Sequence, residues 1–211
     1  MYDIYLFDLD GTLLDTLDDL TDSVNYALSF YGLKTRSKEE VSSFVGNGIF
    51  NLIKRAIEGG EENPRFAEVF SLFQEHYKTH NIVKTKPYEG VYPMLENLKK
   101  AGKKCAVVSN KADSFLKALV QRFFGEYIFI AIGENEREGL RKKPAPDSVL
   151  TAIEKLGGGR AVYVGDSEVD IETAKNAEIE CICVTWGFRK EEFLRERGGR
   201  IFARHPLDII A

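Results

Sequence analysis

The sequence predicts an α/β fold, a parallel sheet covered by helices on both faces and interrupted by a small, all-helical inserted domain. Three observations carry that prediction. Five short runs, at 4–7, 104–108, 128–132, 161–164 and 181–184, are continuously apolar rather than alternating, the pattern of strands buried on both faces. The later runs are separated by segments of helical length, which implies βαβ units. Residues 15–86, by contrast, contain helical patterns and no convincing strand.

The elements follow in order. "IYLF" at 4–7 is the first strand, continuous rather than alternating and so read as fully buried. Residues 16–30 carry Leu17, Leu20, Val24, Ala27, Leu28 and then Tyr31 on one 3.6-period face. Further helices are expected at 40–45, 49–57 and 66–77, broken by "YGLKTRS", "VGNG" and "EGGEENP". "PYEG" at 87–90 marks the return to the sheet, and 91–101 reads as a helix. The remaining crossovers are helices at 114–123, with Asp113 available as its cap, at 147–156 and at 169–177. The domain assignment is therefore 1–14 with 87–211 for the α/β part and 15–86 for the helical part. "GGG" at 157–159 fits a loop after a helix and is not a phosphate loop, because no Gly-Lys-Ser/Thr follows. "HPLDIIA" at 205–211 reads as a short terminal turn.

Composition narrows the function. Lys plus Arg number 29 against 33 Asp plus Glu, and the net charge of −4 argues against a nucleic-acid binder. No basic segment leads into an apolar run and no stretch approaches ~18 apolar residues, so neither export nor a membrane span is expected. The three cysteines, Cys105, Cys181 and Cys183, lie in strand-like runs without a spaced framework. They read as reduced, packed thiols of a cytoplasmic protein, and Cys181-x-Cys183 lacks the second pair a zinc site needs. His76 and His80 are four apart on a helix but have no third ligand, and read as a polar face. Trp186, the one tryptophan, is expected to pack beside the last strand.

In open parallel sheets, ligands bind beyond the carboxyl ends of the strands. The first strand is followed there by Asp8, Asp10, Gly11 and Thr12, and the second by Ser109 and Asn110 in "VVSNK". Lys143 stands in "RKKPAPD" ahead of a helix, and the fourth strand ends in Asp166 and Asp170 of "VYVGDSEVD". Asp8 and Asp10, two apart, leave the same side of an extended backbone, and Gly11 lets the chain turn. Four carboxylates in one pocket would repel one another. A hard divalent cation resolves that, and Mg²⁺ suits few carboxylates plus a phosphate partner. Ser109 and Asn110 can donate to phosphoryl oxygens, and Lys143 adds positive charge where charge spreads during transfer. One of the carboxylates can then act as a nucleophile. Each feature alone has a plain structural role, as a turn, a cap or a solvated basic run; their convergence at strand ends does not.

These motifs resemble those of the haloacid dehalogenase superfamily. "FDLDGTLLDT" is similar to its D-x-D-G-T motif, "VVSN" to its second, "KPAPD" to its lysine motif and "VGDSEVD" to its G-D-x-x-x-D. The resemblance implies a Rossmann-like core and a helical cap inserted after the first motif. Within the family, "FVGNGIFNLIKRAI" and "VTWGF" look most like phosphoglycolate phosphatases. It further implies that Asp8 attacks phosphorus to give an aspartyl-phosphate, and that Asp10 serves as acid and then base. Mg²⁺ would be held by Asp8, the Asp10 carbonyl and Asp166, with Asp170 as a ligand or just behind one. Ser109, Asn110 and Lys143 would bind the phosphoryl group, and Gly46, Asn47 and Gly48 would form the substrate-facing cap loop. The expected function is a phosphatase for a small phosphorylated metabolite, 2-phosphoglycolate first, acting as a monomer or homodimer without nucleic acid or membrane. A sugar phosphomutase or pyrophosphatase of the same fold, and a silent binder of phosphorylated ligands, are the alternatives. One departure stands out: relatives read Ala-Gly after the fourth-motif helix where this chain has Ala177-Glu178, which predicts a different helix end.

Overall fold

The computed structural model describes residues 2–135 and 139–210. The chain forms two compact units, one of residues Met1–Leu14 with Pro87–Ala211 and the other of Asp15–Lys86.

The first unit is a parallel α/β sheet flanked by helices. Its strands are β1 (Ile4–Phe7), β4 (Lys104–Ala112), β5 (Ile130–Glu134), β6 (Ala161–Gly165), β7 (Glu180–Val184) and β8 (Ile201–Ala203), in the order β5-β4-β1-β6-β7-β8. All the ladders are parallel, with Ile4 beside Lys104 on one side and Ala161 on the other. Pleating sorts β1 between two cores. Tyr5 and Phe7 face one, built with Val91, Leu95 and Leu98 of α5 (Val91–Lys100) and Leu116, Leu119 and Phe124 of α6 (Asp113–Phe124). Ile4 and Leu6 face the other, with Val149 and Ala152 of α7 (Asp147–Lys155) and Ala174 of α8 (Glu168–Asn176). Burial on both faces is why these runs are continuously apolar.

The structure extends and corrects several expectations. The second strand runs on to Ala112 through a register shift between Val108 and Ala112, so Ser109 and Asn110 belong to the strand itself. The third begins at Ile130, not 128, because the amides of Tyr127 and Ile128 still bond back to Phe124. Asp113 is not a cap: it is the first helical residue, and its carboxylate accepts from the Gly133 amide at 3.0 Å. Helix α9 (Glu191–Glu196) and strand β8 were not anticipated, and the terminal turn is a 3-10 turn at Pro206–Ile210. Two two-residue strands, β2 (Leu14–Asp15) and β3 (Lys86–Pro87), pair with each other.

The end of α8 is not made differently after all. The Glu178 and Ile179 amides donate to Lys175 and Ala174 carbonyls, the paired bonds of a glycine-type stop, with Glu178 at φ 56° in the left-handed region.

The helical unit comprises α1 (Leu17–Phe30), α2 (Lys38–Phe44), α3 (Gly48–Ala56) and α4 (Phe66–His80). Leu20, Val24, Ala27 and Leu28 bury the predicted face of α1 against Leu52, Ile53, Phe73 and Tyr77. Helix α2 starts two residues early because Ser37 and Glu40 cap each other reciprocally, at 3.2 and 2.8 Å.

Candidate active site

The site is built where β1, β4 and β6 end. Asp8 follows β1 directly and is buried, its carboxylate accepting from the Leu9 amide at 2.8 Å and lying 3.1 Å from the Lys143 ammonium. Ser109, on β4, adds a hydrogen bond to the same carboxylate. Gly11 takes φ 85° and lets the Asp166 carboxylate lie against its backbone, where a Cβ would come within 2.4 Å of it.

Asp166 follows β6 and is fully buried. It accepts from the Phe188 amide at 2.7 Å and faces the Thr12 hydroxyl at 3.4 Å. Asp170 lies one helical turn on, in α8, because Ser167 and Asp170 form a capping box there. One Asp170 oxygen holds Lys143 at 2.7 Å, and the other accepts from the Ser167 amide and hydroxyl at 3.0 and 2.6 Å. Lys143 also donates to the Tyr163 hydroxyl at 2.9 Å, and that hydroxyl donates in turn to the Val108 carbonyl at 2.6 Å.

Asn110, expected at the phosphoryl group, has its carboxamide on the backbone of Lys143. Its carboxamide donates to the Lys143 carbonyl at 3.0 Å and accepts the Lys143 amide at 2.8 Å, so it clamps the loop that carries the lysine. Asp10 has its carboxylate on the Lys111 ammonium, 3.1 Å to each oxygen. Gly46 and Asn47 lie in the turn between α2 and α3 of the helical unit, and Gly48 opens α3. Asp8, Asp10, Ser109, Asn110, Lys143, Asp166 and Asp170 thus come together within the α/β unit.

Electrostatics follow from burial. Asp8 is pushed up to about 6, first by burial and then by Asp170 and Asp10, against the pull of Lys143 and Ser109. Asp166 is driven well above the usual carboxylate range by burial, then by Asp170 and Asp8. Burial opposes the Lys143 charge, but Asp170 and Asp8 outweigh it and hold its pKa well above the ordinary lysine value. Asp8, Asp166 and Asp170 offer oxygens within 4.8 Å of one another, the one such acidic cluster among the described residues. Three carboxylates against one ammonium leave two negative charges in excess, which a divalent cation on oxygen ligands would cancel. The donor set fits such an ion.

Three participants escaped the sequence. Lys111 followed what looked like a finished strand, but it lies inside β4, within the register shift, and its side chain is buried. Tyr163 sits in the middle of "VYV", where nothing separates it from core. Ser167 went unremarked as well, although it stands three before Asp170 in the spacing of a capping box. The decoys resolve plainly. His76 and His80 stack at 3.9 Å; the Nδ1 of His76 meets the Ser23 hydroxyl, and that of His80 the His76 carbonyl. The cysteines are free thiols; burial pushes Cys105 up to about 12. Trp186 donates to the Thr12 carbonyl at 3.0 Å, beside a strand that is not the last. No helix among the described residues is long and apolar enough to cross a membrane.

Comparison with known proteins gives the class to which this fold belongs, a hydrolase. The chain belongs to the haloacid dehalogenase-like hydrolases, whose family model matches residues 5–184. A phosphoglycolate phosphatase of Aquifex aeolicus is 34% identical over 192 residues, 89% of this chain and 86% of that one. One of Mesorhizobium japonicum is 36% identical over 190 residues, 88% and 83% of the two chains. A crystal structure from Lactobacillus delbrueckii subsp. bulgaricus, of a phosphoglycolate phosphatase by prediction, superposes with a TM-score of 0.93 at 33% identity, covering 99% of this chain and 96% of that one. The enzyme class is phosphoric monoester hydrolase.

Proposed function

We propose that this protein is a Mg²⁺-dependent phosphatase that hydrolyses a small phosphomonoester, 2-phosphoglycolate first, through an aspartyl-phosphate on Asp8. The observation that carries the proposal is the buried Asp8 carboxylate, held at 3.1 Å by Lys143 beside two further carboxylates. In the first half-reaction an Asp8 oxygen bonds to phosphorus as the bond to the alcohol oxygen breaks, and Asp10 gives that oxygen its proton. In the second, Asp10 takes a proton from water as the water oxygen displaces the Asp8 oxygen from phosphorus, returning Asp8 and releasing phosphate. Ser109 and Lys143 bind the phosphoryl oxygens, and Lys143 meets the charge that spreads over them. Mg²⁺, held by Asp8, the Asp10 carbonyl and Asp166, would supply further charge neutralisation at those oxygens. Asp170 serves by fixing Lys143, and Asn110 by fixing its loop. The helical unit takes the part of the cap, with the Gly46-Asn47-Gly48 turn reading the alcohol portion. The match to the phosphoglycolate phosphatases of Aquifex and Mesorhizobium over most of their length supports 2-phosphoglycolate as the first substrate to try.

The test is phosphate release from a panel of small phosphomonoesters and pyrophosphate, with Mg²⁺ or EDTA, for the wild type and Asp8→Asn. Metal-dependent release that falls to background in Asp8→Asn is expected. Release that survives the substitution would overturn the mechanism.

A further inference from the structure

Lys111 is a lysine in an expensive place. Its side chain is 4% exposed, and its ammonium sits 3.1 Å from both oxygens of an Asp10 carboxylate that is itself 14% exposed. An ammonium withdrawn from water is tolerated only where a counter-charge and hydrogen bonds replace the water. The chain goes to some length to put it there. Between Val108 and Ala112 the register of β4 against β5 shifts, and the Lys111 amide bonds to the Ser109 hydroxyl at 3.4 Å. The shifted backbone is accommodated because position 133, on β5, is glycine. A Cβ there would stand 2.6 Å from the Lys111 carbonyl and 2.4 Å from the Asp113 Cα.

From this geometry we infer that Lys111 is a positioning residue for Asp10. The inference rests on the reading of Asp8 and Asp10 given above and deepens it. Gripped by both oxygens, the Asp10 carboxyl loses the freedom to rotate about its side-chain bonds and is presented in one orientation. The same ammonium meets the negative charge that appears on Asp10 as its proton passes to the departing alcohol oxygen, an interaction already in place before the reaction starts. Lys111 makes no contact with phosphorus in this scheme; Lys143 and Lys111 divide the work, one at the phosphoryl group and one at the proton-transfer carboxyl.

The dependence on leaving group isolates this role. 2-Phosphoglycolate releases an alcohol that needs a proton to depart, whereas acetyl phosphate releases acetate, which does not. The value of kcat/KM covers steps up to departure of the leaving group, so it should be measured for both substrates with wild type, Lys111→Met, Lys111→Arg, Asp10→Asn and Asp8→Asn. For Lys111→Met, a fall of about 10²-fold on 2-phosphoglycolate is expected, with acetyl phosphate within about threefold of wild type. Asp10→Asn should show the same selectivity, and Lys111→Arg should recover part of the loss. The ratio of the two substrates in one sample does not depend on how much of the variant is folded. Equal losses on both substrates, or none on either, would overturn the role of Lys111 while leaving Asp8 intact. Turnover that survived Asp8→Asn would instead overturn the reading of the site, and this inference with it.

Discussion

Replacing Lys143 by methionine removes the one ammonium among the three clustered carboxylates while keeping the length of the side chain. In the wild type that ammonium is 2.7 Å from Asp170 and 3.1 Å from Asp8, and all three side chains are buried. Breaking a buried ion pair by deleting one partner costs about 3–5 kcal/mol, because the survivor is left uncompensated. For a chain of this size about 2–4 °C accompanies each kcal/mol, so the thermal midpoint should fall by about 6–20 °C in EDTA at neutral pH. Tyr163 adds little to that loss, since its hydroxyl keeps its bond to the Val108 carbonyl. The assay is thermal unfolding followed by tryptophan fluorescence. Trp186 is the only tryptophan and lies in the α/β unit, bonded to Thr12 next to the site, so it reports on the right unit. Mg²⁺ at a hundredfold excess over its dissociation constant should restore about 2.7 kcal/mol. Lowering the pH toward 5, which lets Asp8 protonate, should also narrow the gap. A loss below about 3 °C, or one indifferent to both Mg²⁺ and pH, would refute the electrostatic account of the site.

Two further outcomes are expected. The Asp8 carboxyl is pushed up from the ordinary 3.8 to about 6, so the folded state holds a proton that the unfolded chain has released. Its contribution to stability is present below 3.8 and lost as the pH rises through 6; the urea midpoint of metal-free protein should therefore fall between pH 5 and 7, and Asp8→Asn should flatten that slope. A metal-free midpoint that rose over this range would contradict the burial argument. Glu178→Gly should stabilise by about 0.5–1 kcal/mol, since the left-handed conformation at φ 56° disfavours a side chain and glycine gives back only part of that in chain entropy; an unchanged or lowered thermal midpoint would contradict it.

The sheet was readable because the middles of β1, β4, β6 and β7 are buried in the two cores on either face and are continuously apolar there. The same logic hid β8, a three-residue edge strand set between basic residues with Ile201 partly exposed, which carries too little burial to stand out. In the site, the aspartates were legible because a carboxylate at the end of a buried apolar run is costly unless a counter-charge meets it there. Lys111 was not, because it lies within the register shift of β4 against β5, a feature of strand pairing that no local pattern in the sequence announces. Asn110 was legible as a polar residue at a strand end but not as a clamp on Lys143, since its partner is 33 residues away. Glu178 shows the limit of residue preference: the bonds to Lys175 and Ala174 hold a left-handed helix end that the sequence argued against.

The place of β1 in the sheet has a consequence for how the molecule is made. It is a central strand, paired to β4 and β6, yet both partners lie beyond the helical unit in the chain. During synthesis "IYLF" leaves the ribosome with nothing to pair with, while the helical unit, which has its own core in Leu20, Val24, Phe73 and Tyr77, can close first. The sheet then waits on distant contacts, the slow step in folding any such topology. During that wait the apolar run is bounded by Asp3 on one side and by Asp8 and Asp10 on the other. Charges so placed discourage one unpaired strand from adding to another. The carboxylates assigned here to phosphoryl chemistry thus stand guard over the strand that carries them before there is a site at all.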